Sequence, residues 1–288
     1  MFESISQLLE ASENSGVPLH QVIINDESEY THTSETKLFE RVKRSLNVMR
    51  ESLNKALTSD IELPIKEASH QAKKLLSPGI FFGKDIKEAM AWAMAIAEYN
   101  SGMGLIVACP TAGASGVVPA VLFKAKEMLN KSDDSLLNVL VLAGAVGAII
   151  GNQAMLSGSE GGCQAEVGVA SAMAAAAITY MADGSYEQIS NAIALSLKNI
   201  LGLICDPVAG LVISPCIKRN AIGVVNAFTA AEMALSGVTS IIPADEVIDA
   251  MMKVGRKLPY ELKETGKGGI ASTKTAKKIK KILFSDEV

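Results

Sequence analysis

Aromatic residues make up 5% of this 288-residue chain, which has one tryptophan, three histidines and four cysteines. Four cysteines are too few for a disulfide scaffold, so each is left to bind metal, serve catalysis or sit buried as a small hydrophobe. Runs of alternating β-branched residues are scarce, which argues against sheets. A net charge of −4 provides no pull toward nucleic acid or an anionic membrane. The opening stretch, MFESISQLLEASENSG, lacks the basic residues, apolar run and cleavage site of a signal peptide, so a cytoplasmic chain is expected. No internal repeat or low-complexity tract interrupts the sequence.

What is present is apolar and small. With 49% apolar and 20% charged residues, the chain can build both a core and a solvated surface. Residues 1–60 are polar and charged, and read as a helical N-terminal region packed on or preceding the core. Residues 61–288 read as one continuous helical domain. From about Lys84 to Met252, Ala, Gly, Leu, Ile and Met dominate. Small residues let helices approach closely, so the expected fold is all-α, a compact multi-helix domain with buried Ala/Gly-rich helices.

Periodicity and punctuation place the helices. Leu38, Val42, Leu46, Met49 and Leu53 recur at helical spacing within Thr36 to Leu57. Asp85 is placed to cap a helix through Met90, Met94 and Ala97 that ends at Gly102 and Gly104. Further helices are expected from Pro119 to Asn130, Leu136 to Leu156, Glu166 to Met181, Tyr186 to Ile204, and Cys216 toward Ala234, with Asp206-Pro207 stopping the fourth of these five. The Leu136 segment approaches the length of a membrane span, but its asparagines, glutamine and glycines favour a buried core helix. From Lys253 to Lys281, ten Lys or Arg residues face two acids around GKGGIASTKTAKK. That run is either a solvated face or a glycine loop whose N–H groups, with Lys267 or Lys274, meet an anion or a partner chain.

Three cysteines stand at breaks in these helices. Cys163 follows Gly161-Gly162 and precedes the Glu166 helix, where partial positive charge favours a thiolate. Cys216 follows Ser214-Pro215 at a second helix start, and Cys205 ends its helix before Asp206-Pro207. Their separations, 42 and 11 residues, do not match the tight runs of ferredoxins or zinc fingers, so spacing leaves plain burial open for each.

Four ordered strings, CPTAGASGVVPAVL (109–122), SEGGCQAEVGVASAMAA (159–175), NILGLICDPVAGLVISPCIKRNAIGVVNA (199–227) and LKETGKGGIASTKT (262–275), resemble the catalytic α chain of iron-sulfur-dependent L-serine dehydratases. The resemblance covers nearly the whole chain. It implies that Cys163, Cys205 and Cys216 hold a [4Fe-4S] cluster whose fourth iron receives L-serine, without pyridoxal phosphate, and that the products are pyruvate and ammonia. It also implies a heteromeric β-chain partner, because the chain has no room for the β portion. Some single-chain members carry a C-terminal cysteine, whereas this sequence ends FSDEV. Cys109 is the spare cysteine, read as a packed or pocket thiol.

The small-residue loop holding Thr111, Gly113, Ser115 and Gly116 suits close approach of N–H groups and hydroxyls to a substrate carboxylate, or simply a turn needed for packing. Ser157, Ser159, Asn199, Gly268, Gly269 and Thr273 are further substrate-binding candidates. A base must remove the Cα proton. His20, His32 and His70 lie outside the cysteine motifs, which leaves Lys198 or a group on the partner chain. Two rival functions remain: an L-cysteine desulfidase or related amino-acid lyase, and a non-catalytic subunit in which iron-sulfur or zinc only staples helices.

Overall fold

The computed structural model describes residues 2–285, so Asp286–Val288 of the FSDEV ending lie outside the described residues. Among the described residues the fold is all-α, with one isolated extended bridge between Cys205 and Lys263. In chain order the helices are α1 (Ile5–Ser15), α2 (Leu19–Thr31), α3 (Glu35–Thr58), the short α4 (Gln71–Leu75), α5 (Lys84–Ser101), α6 (Val117–Leu129) and α7 (Asp133–Gln153). They continue with the single-turn α8 (Gly158–Gly161), α9 (Val169–Met181), α10 (Tyr186–Lys198), α11 (Cys216–Leu235), α12 (Ala244–Lys257) and α13 (Lys274–Leu283).

Helix α9, VASAMAAAAITYM, is the central element and is buried at every position but Tyr180. Its alanines let α6, α7, α10 and α11 pack around it. Ser171 shows how close the approach is: its hydroxyl donates to Val167 O within its own turn and to Gly223 O of α11 at 2.9 Å. The N-terminal helices join the same core, since Ile5, Leu8, Leu19, Leu46 and Met49 pack with it. Helix α7 is long and apolar enough to cross a membrane by length and composition, but here it packs against α2, α3, α6, α9 and α12.

The periodic segments match expectation most closely: α3 spans Glu35–Thr58, and α11 runs from Cys216 to Leu235. Differences cluster around the cysteines. The stretch expected to open a helix at Glu166 is instead a π-helical turn, Gln164–Gly168, before α9 begins. Helix α10 stops at Lys198, six residues before Ile204. A turn through Gly202, whose φ of 84° suits glycine and whose N–H donates to Gln164 Oε1, diverts the chain there. Cys205 therefore sits in an extended link rather than at a helix end. Asp85 lies in the first turn of α5 while Gly83 takes the cap, and Pro215, after a cis peptide bond, itself caps α11. Helix α12, with Val247, Ile248 and Met251 buried at helical spacing, lay beyond the last helix read from the sequence.

Candidate active site

The three cysteines converge from separate elements. Cys163 stands at the head of the π-helical turn, Cys205 in the extended link, and Cys216 is the first residue of α11; all three are buried. The π turn matters because it carries Glu166, one turn beyond Cys163, onto the cysteine face. Ligand atoms of Cys163, Glu166 and Cys205 all lie within 4.8 Å of one another, an arrangement able to hold a metal ion. Cys216 borders the same group: burial, with the negative charges of Cys163 and Glu166 adding to it, pushes its thiol up to about 12.

Two segments fix Cys205. Its N–H donates to Leu262 O and its carbonyl accepts from Glu264 N–H, so the LKETGKGG segment straps it on both sides. Next to it, buried Asp206 accepts Arg219 Nη2 at Oδ1 (2.8 Å) and Ile270 N–H at Oδ2 (2.8 Å). Gly269, at φ 55°, passes so close that a side chain there would run into the Asp206 carboxylate. Arg219 also donates Nη1 to Ile204 O.

The electrostatics separate the thiols. Cys163 is held below the usual thiol range by the hydrogen bond from Cys205, helped by the Arg219 charge and opposed by burial. Cys205 is raised correspondingly, through that bond and burial. Glu166 is raised chiefly by burial and also by Glu264, against the hydrogen bond from Thr111. One thiolate beside a guanidinium is a ready start for metal ligation, which requires deprotonated sulfur.

The CPTAGASG loop meets this group directly. Thr111 Oγ1 donates to Glu166 Oε1 at 2.7 Å, and a Cβ on Gly113 would lie 3.3 Å from the same oxygen. Asn220 of α11 clamps the loop: Nδ2 donates to Gly113 O (2.8 Å) and Cys216 O (3.1 Å), while Oδ1 accepts Gly116 N–H (3.1 Å). The Ser115 hydroxyl, in that loop, is buried without a hydrogen-bond partner among the described residues. Gly158 completes the wall, where a Cβ would come within 2.7 Å of Glu166 Oε2 and 2.8 Å of Cys205 Sγ.

Other expected residues lie apart from this contact network. Ser157 and Ser159 bond each other at 3.0 Å, and Ser157 also bonds Glu160. Asn199 donates to Asn226 of α11, and Lys198 Nζ donates to Ser240 O at 2.6 Å. Thr273 caps α13, and Gly268 passes the Glu261 carbonyl. Cys109 is buried beside a cis bond to Pro110 and lines a separate cavity of about 540 Å³ with Met49, Leu140 and Val141. Of the histidines, His20 bonds Tyr180, His70 pairs with Glu62, and His32 ends α2 in a left-handed conformation.

Sequence reading missed Glu166, Asp206, Arg219, Asn220 and Glu264. The signal for the first, third and fourth was their place one helical turn beyond a cysteine, in CQAE and CIKRN, where apolar residues otherwise prevail.

Comparison with known proteins agrees. The family described as serine dehydratase alpha chain matches residues 14–271. The chain is 46% identical over 287 residues to a probable L-serine dehydratase alpha chain of Bacillus subtilis, covering 99% of this chain and 96% of that one. It is 39% identical over 290 residues to the L-serine dehydratase alpha chain of Peptoniphilus asaccharolyticus, covering 99% of each. Against the longer L-serine dehydratase TdcG of Escherichia coli it is 32% identical over 280 residues, covering 94% of this chain and 61% of the relative. Because the match runs through the CPTAGASG loop, the three cysteines and the strap that fixes Cys205, the chain belongs to the serine dehydratase alpha chain family.

Proposed function

We propose that this chain is the catalytic subunit of a cytoplasmic L-serine ammonia-lyase that forms pyruvate and ammonia. Cys163, Cys205 and Cys216 would hold a [4Fe-4S] cluster. The observation that carries this reading is the grouping of the Cys163 and Cys205 thiols with the Glu166 carboxylate, all within 4.8 Å, beside a third buried thiol, Cys216. Soft sulfur donors fit iron-sulfur chemistry, and Arg219 supplies positive charge beside the thiolates. When bound, a cluster with one iron free of protein ligands supplies a Lewis acid for the departing hydroxyl.

The chain's own residues bind, orient and exclude water. The Thr111–Gly116 loop, held by Asn220, offers N–H groups and the unpartnered Ser115 hydroxyl to the serine carboxylate. Loss of the Cα proton and the β-hydroxyl, together one water, leaves aminoacrylate. That tautomerises to an imine, and one water hydrolyses the imine to pyruvate and ammonia. Of the two sources for the base, Lys198 is committed to Ser240 O. We therefore assign the base to a β-chain partner, which also accords with the relatives' naming as alpha chains.

Anaerobic reconstitution with the β chain, followed by iron and sulfide analysis and by parallel assays of pyruvate from serine and sulfide from cysteine, tests the reading. Serine turnover that depends on about four irons per chain is expected. Replacing Cys163, Cys205 or Cys216 by Ser should remove iron and activity together, whereas Cys109→Ser keeps both. Sulfide release from cysteine with no pyruvate from serine would make the chain a desulfidase, and zinc without iron would make the site structural.

A further inference from the structure

Glu166 is a largely buried carboxylate with no ion-pair partner among the described residues. Its partners are the Thr111 hydroxyl at Oε1 and the Cys205 thiol at Oε2, 3.8 Å away. No lysine, arginine or histidine forms an ion pair with it among the described residues. The neighbouring cation, Arg219, is engaged by Asp206, Ile204 O and the Cys163 sulfur. Glu264 adds a second negative charge nearby. Buried carboxylates are ordinarily paired or bound to metal, because an uncompensated charge away from water is costly. Gly113 and Gly158 flank the two oxygens and, lacking side chains, leave them uncovered.

We propose that Glu166 is the subsite for the α-ammonium of the substrate, and so selects 2-amino acids over their amine-free analogues. The proposal rests on the serine-lyase reading above and deepens it. Serine presents three polar groups. The hydroxyl is the leaving group, and the carboxylate suits the Thr111–Gly116 loop with its unpartnered Ser115 hydroxyl. The ammonium is borne on the same carbon as that carboxylate and requires an anion beside the loop. Glu166 is the acid that touches both the loop, through Thr111, and the cysteines, through Cys205. A neutral group in place of the ammonium would forfeit the attraction to Glu166, and an anionic one would also be repelled by Glu166 and Glu264, so discrimination comes from both.

L-Alanine and propionate lack the leaving hydroxyl, so both bind without turnover, and they differ only in the ammonium. Titration calorimetry of each into the reconstituted complex should show the wild type preferring L-alanine. Glu166→Gln should weaken L-alanine by about tenfold or more, the scale of a lost charge-assisted contact, and leave propionate within about threefold, at unchanged iron content and far-UV dichroism. Glu166→Asp, which restores the charge, should recover part of the loss; if the Gln variant does not fold, this variant carries the comparison, with alanine weakened selectively.

Equal weakening of both ligands, unchanged alanine binding, or a wild type that prefers neither ligand would overturn the ammonium subsite. So would loss of iron from a folded Glu166 variant, which would make the carboxylate a metal ligand. The serine-lyase reading fails separately, if the iron-loaded wild type releases no pyruvate from serine.

Discussion

Asp206 holds Arg219 across 2.8 Å with one carboxylate oxygen while its other oxygen takes the Ile270 N–H from the C-terminal strap. A single buried acid thus joins the Cys205 link, the first turn of α11 and the glycine-rich tail. Asp206→Ala would leave the largely buried guanidinium without its carboxylate partner, with only Ile204 O and the Cys163 sulfur beside it, at a cost of about 3–5 kcal/mol. Urea unfolding should show a lowered midpoint, and limited proteolysis of the folded variant should cut between 263 and 273, where the wild type resists. A midpoint equal to wild type would show that the pair contributes little.

Gly158 is a steric requirement. An added methyl would lie 2.7 Å from Glu166 Oε2 and 2.8 Å from Cys205 Sγ, inside normal contact distance. Because α8 is one short turn, its displacement should spread little into the core. Gly158→Ala is therefore expected to lower iron occupancy and serine turnover severalfold while the thermal midpoint falls by only a few degrees. A Gly158→Ala protein with full iron content would show that the wall yields.

The sequence disclosed the long periodic helices and the cysteine breaks because both are local signals. Leu38, Leu46, Met49 and Leu53 line the buried face of α3 whatever else surrounds them. Glu166 was less legible: an acid in an alanine-rich stretch reads as a solvated helical residue until the π turn points it inward. The end of α10 was misplaced for a related reason. Asp206-Pro207 is a strong stop, but tertiary bonds to Gly202 and Cys205 divert the chain earlier, and those partners, Gln164 and Leu262, are remote in sequence. Motif resemblance singled out the cysteines of the candidate site, whereas its Asp206–Arg219 and Asn220 connections required the folded chain.

Asn220 joins the substrate-loop candidate to a cysteine. Asn220→Ala strips partners from Gly116 N–H and Gly113 O, both within the fold, and should cost about 1–3 kcal/mol. If the clamp positions the loop, KM for serine should rise more than kcat falls, while iron content stays near wild type. Equal loss of iron and activity would instead place its main effect on Cys216, whose carbonyl it also bonds.

Cys109 offers a pH-dependent test of its separation from the other thiols. Burial pushes its thiol up to about 12. At pH 8 it is therefore almost wholly protonated, while an ordinary thiol near pKa ~8.5 is substantially ionised. Iodoacetamide should modify Cys109 at least about a hundredfold more slowly in the folded protein than in urea, with or without bound iron. The linkage has a definite sign. A thiol pKa raised on folding gives stability that is fully present below the unfolded value and is lost as pH rises toward the folded one. Cys109→Ala should therefore flatten the fall in urea midpoint between about pH 8.5 and pH 11 and retain iron. An unchanged alkaline slope would show that the thiol ionises as readily in the folded chain as in the unfolded one.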